Sequence, residues 1–262
     1  YTTIPKSTDY FNTKLYTGTD NSNAITGLNF QPDFTWIKKR SGAASHALQD
    51  AVRGNDKTFR TNNTNAQYTN SFFSSFNSDG FTVATSETDA NADGSTYASW
   101  NWKANGAGSA NTTGSINSTV SANTTSGFSI VSYTGNGTSG ATVGHGLGVV
   151  PQVIIVKRLP NVDQLIMYHP DLNATPQDYY IRVSDANVSS DFAGMWNDTA
   201  PTSSLFSIGN SATTNASSEA MIAYCFAEKQ GFSKFGKYVG NGNSDGPFVY
   251  LGFKPAWILI KD

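Results

Sequence analysis

Asp89-Ala-Asn91-Ala-Asp93-Gly94 sets three oxygen-bearing side chains at alternate positions ahead of a glycine, the opening of a loop that wraps calcium. The twelfth position of such a loop carries a bidentate glutamate, and Trp100 stands there instead. The pattern therefore predicts at most weak calcium binding by Asp89, Asn91 and Asp93, with Glu87 as a substitute ligand. A solvated hairpin loop is the simpler reading. His46, His145 and His169 include no two at metal-ligand spacing, and His145, within Gly144-His-Gly-Leu-Gly148, reads as a turn residue. The glutamates are Glu87, Glu219 and Glu228, and no nucleophile elbow, phosphate-cradling loop or dinucleotide fingerprint occurs. The chain is accordingly not expected to be an enzyme or to carry a cofactor beyond that weak calcium. Trp196, in Met195-Trp-Asn-Asp-Thr-Ala-Pro201, is the loop aromatic best placed to stack on a sugar, against the ordinary alternative of core packing. Cys225, the single cysteine, excludes an intrachain disulfide and reads as a buried, inert thiol between Tyr224 and Phe226.

The elements that position these residues are expected to be strands. Hydrophobic residues make up 38% of the chain and charged residues 14%, and Gly, Ser, Thr, Asn and aromatics dominate the rest. That balance suits short strands joined by many turns. The 17 basic residues are scattered and the net charge is -2, so no basic stripe exists to neutralise phosphates and no nucleic-acid partner is expected. No apolar run approaches the roughly 20 residues of a membrane span, and no membrane partner is expected. Helical spacing occurs only at 65–76, through Phe72, Phe73 and Phe76, where Asn and Thr allow a single turn at most.

Two signatures recur. Tyr16-Thr-Gly18 returns as Tyr133-Thr-Gly135 and Tyr238-Val-Gly240. Pro32 to Lys38, with Trp36, returns as Pro151 to Lys157 and as Pro255 to Lys261, with Trp257. The Tyr-to-Pro spacing is 16, 18 and 17 residues, and the Pro-to-Lys spacing is six in every copy. The first signature reads as a strand entering a turn whose glycines take φ values forbidden to other residues. The second starts at a Pro and is apolar on both faces, as in a central strand covered on both sides. The expected fold is all-β: two tandem antiparallel β-sandwich units, jelly-roll or concanavalin-like, plus the start of a third. The boundaries are 1–103 for the first, 104–127 for a Gly/Ser/Thr/Asn-rich linker, 128–227 for the second, and 228–262 for a third unit or a hairpin completing the second.

Asn29-Phe-Gln-Pro-Asp-Phe-Thr-Trp-Ile-Lys38, Asp50-Ala-Val-Arg-Gly54, Asp79-Gly-Phe81, Trp100-Asn-Trp102 and Ala223-Tyr-Cys-Phe-Ala-Glu228 carry a family likeness. With these motifs the chain resembles the tandem domain of uncharacterised function found in large virion structural and tail-fibre-like proteins of marine bacteriophages. The resemblance implies a virion location, several such units in series and a position outside the capsid, and the partners expected are other copies of the chain and other virion proteins. It transfers no catalytic residues. The function expected from it is structural, in a tail fibre or other extracellular appendage. A lectin-like module recognising host surface glycan is the alternative.

Overall fold

Short alternating runs between Gly- and Asn-rich turns leave little but strand, and the computed structural model, which describes residues 2–261, is an all-β protein of antiparallel sheets. The first half holds β1 (Phe11–Thr17), β2 (Asn23–Thr26), β3 (Phe34–Lys39), β4 (His46–Asp50), β5 (Gly54–Arg60), β6 (Tyr68–Thr69), β7 (Phe73–Asn77), β8 (Gly80–Val83) and β9 (Thr96–Trp102). The second half holds β10 (Ser109–Asn111), β11 (Ser118–Asn123), β12 (Phe128–Thr134), β13 (Ala141–Gly144), β14 (Val153–Arg158), β15 (Leu165–Tyr168), β16 (Tyr179–Arg182), β17 (Ser190–Asp191), β18 (Leu205–Ile208) and β19 (Ala220–Phe226). Two four-residue helices, α1 (Ala193–Trp196) and α2 (Ala212–Asn215), complete it.

The large sheet of the first half runs β1-β9-β3-β4-β5-β6, and the second half repeats that order as β12-β19-β14-β15-β16-β17 with β10 and β11 added beside β12. The small sheets, β2-β8-β7 and β13-β18, correspond in the same way. In each half the last strand therefore lies between the two motif strands, β9 between β1 and β3 and β19 between β12 and β14. Three cores order these sheets into four layers. Ile37, Phe73, Phe81 and Tyr97 join the first small sheet to the first large one, and Val143, Ile154, Phe206 and Cys225 do the same in the second half. Between them the two large sheets pack face to face through Phe34, Trp36 and Phe59 on one side and Ile155, Ile222 and Tyr224 on the other. This explains the doubly apolar Pro-to-Lys strands. On β14, Val153 and Ile155 face the other half while Ile154 and Val156 face their own small sheet. Phe34 meets Tyr224 edge-on at 4.8 Å, a geometry that adds about 1 kcal/mol to the burial of such a pair.

Polar groups also cross this central seam. The Tyr224 hydroxyl donates to Asp50 Oδ2 at 2.6 Å, and the same carboxylate holds Arg53 Nε at 2.5 Å. Lys157 is 1% exposed and donates to the carbonyls of Thr64 and Asp163 at 3.1 and 2.6 Å.

Three segments differ from the sequence expectation. Residues 104–127 contain β10 and β11 where a linker was expected, and the whole of β11 pairs with β12, from Ser118↔Tyr133 to Asn123↔Phe128. Backbone hydrogen bonding to a neighbour orders a stretch that has little apolar area of its own to bury. Residues 65–76 form no helical turn: β6 and β7 take their place, and Phe73 stacks on Phe81 at 5.3 Å. Residues 228–261 contain one isolated bridge, Lys229↔Ser233, and no strand, so they add no hairpin to the second sandwich.

Candidate functional site

The recurring Tyr-x-Gly motif is one half of a clamp. Tyr16 donates its hydroxyl to the Ala90 carbonyl at 2.7 Å, and Tyr133 donates to the Thr214 carbonyl at 2.7 Å. The residue after each carbonyl is a fully buried asparagine, Asn91 or Asn215. Asn91 accepts from the Thr19 amide and donates to the carbonyls of Asn21 and Thr85. Asn215 accepts from the Asn136 and Gly137 amides and donates to the carbonyls of Thr138 and Gly209. Each asparagine therefore satisfies both ends of its buried amide on the loop that follows the glycine, as burial requires.

The motif glycines serve contact and not backbone freedom. Neither Gly18 nor Gly135 has a positive φ, contrary to the turn reading; that conformation falls to Asp20 (φ 55) and Gly137 (φ 70), two residues further on. A Cβ on Gly18 would overlap the Ala92 carbonyl, and one on Gly135 would overlap the Ala216 carbonyl. The chain packs backbone on backbone here, just after the buried asparagine. Gly135→Ala is accordingly expected to destabilise the protein by about 1–3 kcal/mol in urea unfolding, the cost of forcing a rigid contact apart. A change below about 0.5 kcal/mol would remove the clamp from the account.

Among the described residues the third copy has no such partner. Gly240 has open space around it, Tyr238 is 48% exposed, and Gly242 already holds φ 69, as Gly137 does. Val239, Phe248, Tyr250, Ile258 and Ile260 are exposed nearby in the chain. Trp257, however, stands two residues after its Pro, the position of Phe34 and Val153, and like them it packs on the central core. It lies 5.1 Å from Trp102 and 6.1 Å from Trp36. Four of the five tryptophans gather there, and Trp36, Trp100, Trp257 and His46 line an open cleft of ≈ 340 Å³ walled by Ala256, Ile258 and Leu259. Trp36 Nε1 donates to His46 Nδ1 at 3.2 Å, which places the proton of the neutral ring on Nε2. Burial, then the neighbouring Lys38, lowers the His46 pKa, and Asp89 opposes them.

The other residues singled out in the sequence have structural employment. Trp196 is 2% exposed in α1 and meets Tyr168 edge-on at 6.0 Å, so it offers no platform to a sugar. Its stretch looked like a loop, but a helical turn folds it into the second core. Asp89 and Asn91 are buried and committed to protein partners, and Asp93 is exposed. Asp89 binds the Ser45 amide and Arg60, Asn91 forms the clamp, and the Asp93 amide binds Asp20. Among the described residues no group of three His, Cys, Asp or Glu side chains could hold a metal. His145 is buried between the Thr202 carbonyl and the Leu147 amide, and burial pushes the Cys225 thiol up to about 12. Pro32 and Pro151 are buried and Pro255 is half-buried, each just ahead of its apolar run. The three motif lysines diverge: Lys38 donates to Lys39, Lys157 is buried, and Lys261 donates to the Asn187 carbonyl. Asn215 escaped the sequence reading, although Asn-Ala stands six residues before Tyr97 and six before Met221.

A family model described as a domain of unknown function, DUF7483, matches residues 6–262. No curated protein and no solved structure matches the chain.

Proposed function

We propose that this chain, which belongs to the DUF7483 family, is a structural component of an extracellular fibre or virion appendage and assembles through residues 235–261. The observation that carries the reading is the third motif copy: Ile258, Leu259 and Ile260 are exposed, whereas the matching residues of the first two Pro-to-Lys copies are buried in β3 and β14, which lie inside their sheets. Uncovered apolar surface of this kind marks an interaction site in a soluble protein, and unpaired strand segments associate by adding to a sheet. The virion and tail-fibre setting draws its support from the family likeness of the sequence motifs. Electron micrographs and light scattering on the purified chain test the role. Repeating assemblies that bury more than about 1,000 Å² at each contact are expected. A monomer at all concentrations, with no assembly in micrographs, would sink it.

The tryptophan cleft favours a second reading, recognition of host surface glycan by stacking on Trp100 and Trp257. A glycan array run with wild type and Trp100→Ala separates the two, since a pure scaffold binds nothing in either form.

A further inference from the structure

We infer that the tryptophan cleft selects a saccharide that carries an anionic group, a carboxylate or a sulfate ester, with a sugar ring against Trp100 and Trp257 and the anion on His46 and Lys38. This rests on the glycan reading of the cleft and names its ligand class.

Strand register builds the cleft. On the face of the first large sheet that looks toward the central core, Trp36 of β3 stands between Trp100 of β9 and Leu48 of β4. Two residues further along β3, on the same face, Lys38 stands between Ala98 and His46. Residues 256–259 form the opposite wall and bring Trp257 against Trp36. Trp100 and Trp257 are steeply inclined to Trp36, at 89° and 57°, with ring centres 6.2 and 6.1 Å from it. Trp36 is buried, whereas Trp100 and Trp257 are only half-buried, so these two indoles reach the solvent. At ≈ 340 Å³ the cleft falls at the small end of ligand sites, which span about 300–1,000 Å³.

The polar side-chain atoms here are of one kind. Trp36 Nε1 is spent on His46 Nδ1, and that bond leaves the proton of the neutral imidazole on Nε2. His46 Nε2, Trp100 Nε1 and Trp257 Nε1 are donors with no acceptor among the described residues. Lys38 adds an ammonium that donates to the Lys39 carbonyl at 2.9 Å, and among the described residues it pairs with no carboxylate. Among the described residues no Asp, Glu, Asn or Gln lines the cleft. Asp89, the carboxylate whose charge reaches His46, is held by Arg60 and the Ser45 amide.

Such a set of donors sorts ligands. The hydroxyls of a neutral sugar donate as well as accept, and side-chain acceptors are needed to receive their protons. A carboxylate or sulfate only accepts, and its bonds to an ammonium are about twice as strong as those between neutral groups. A quaternary ammonium, another ligand that tryptophans gather around, is repelled by Lys38. An acidic sugar meets both demands, because its ring offers C–H groups to the indoles and its anion accepts from the donors.

The full chain is titrated by calorimetry, at physiological salt, with tetragalacturonate, a sulfated galactose tetrasaccharide, the neutral galactose tetrasaccharide and tetramethylammonium chloride. At least one charged saccharide is expected to bind roughly tenfold or more tightly than the neutral one, and the one that does so tells carboxylate from sulfate. Trp100→Ala is expected to weaken that binding roughly tenfold or more. Lys38→Gln is expected to bring charged and neutral saccharides within about threefold of each other, whereas Lys38→Arg, which keeps the charge, preserves the preference. Neutral saccharide bound as tightly as the charged ones would overturn the inference and leave the glycan reading standing. Charged-saccharide binding indifferent to Trp100→Ala and Lys38→Gln would overturn it by placing the anion elsewhere, and saturable binding of tetramethylammonium alone would replace it with a cation site. No binding of any saccharide would remove the glycan reading together with it.

Discussion

Asp50→Ala is expected to destabilise the protein by about 3–5 kcal/mol in urea unfolding, because it strands a buried guanidinium. Asp50 has no exposure and Arg53 side-chain exposure is 3%. Arg53 would keep the Gln67 side chain at 2.9 Å, the Leu48 carbonyl at 3.1 Å and the Tyr224 hydroxyl as neutral partners, with no carboxylate to balance its charge. The carboxylate has further duties. Its Oδ1 receives the amides of Val52 and Arg53, which shape the turn between β4 and β5, and its Oδ2 receives the Tyr224 hydroxyl from the other half. Asp50→Asn, which retains an acceptor for the turn but loses the charge, is expected to fall between wild type and Asp50→Ala. Tyr224→Phe removes one hydrogen bond to a charged group and is expected to cost about 1.5–3 kcal/mol. An Asp50→Ala variant within about 1 kcal/mol of wild type would show that the ion pair contributes specificity and not stability.

Stability is expected to rise with pH from about 7.5 to about 9, an unusual direction, because of Lys157. Burial, chiefly, and then the neighbouring Arg158 lower its pKa from 10.5 to about 8, while Asp163 opposes them. Below pH 8 the lysine is charged in both folded and unfolded chains, and folding carries the full cost of burying an ammonium. Between 8 and 10.5 the folded chain has released a proton that the unfolded chain still binds, so the linkage slope is positive and the cost is relieved. A shift of that size is about 3 kcal/mol across the window. A neutral amine can still donate to the Thr64 and Asp163 carbonyls, so relief does not break the seam. Above about pH 9 the sign reverses. Burial raises the pKa values of Cys225, Tyr16, Tyr133 and Tyr224, so the unfolded chain loses those protons first and stability falls. Urea midpoints from pH 7 to 11 should therefore pass through a maximum near pH 9, and Lys157→Met should abolish the rising limb. A flat wild-type profile between pH 7.5 and 9 would refute the assignment.

Lys157 also shows where sequence reasoning stops. Lys38, Lys157 and Lys261 hold one motif position at one spacing, yet only Lys157 is sealed, because a loop of the other half, at Thr64, closes over it. Asn91 carries the pattern of a weak calcium ligand in a hairpin loop because an amide oxygen in a polar turn has the same local signature whether its partner is an ion, water or a distant backbone. The partner lies 72 residues away in sequence, at Thr19. Residues 104–127 read as a linker because composition reports apolar burial and is blind to backbone pairing with a neighbour.

By itself the sequence determined what depends on near neighbours: the all-β character, the Pro that heads β3 and β14, and the repeat, whose doubly apolar run marks those two strands as covered on both faces. Tertiary structure alone decided that the two halves stack through their large sheets, that Trp196 faces a core, and that each Tyr-x-Gly needs a buried Asn-Ala opposite it. The reason is the range of the forces involved. Side-chain periodicity and turn preference act within a few residues, whereas a clamp or a sealed lysine exists only once segments far apart in the chain have met.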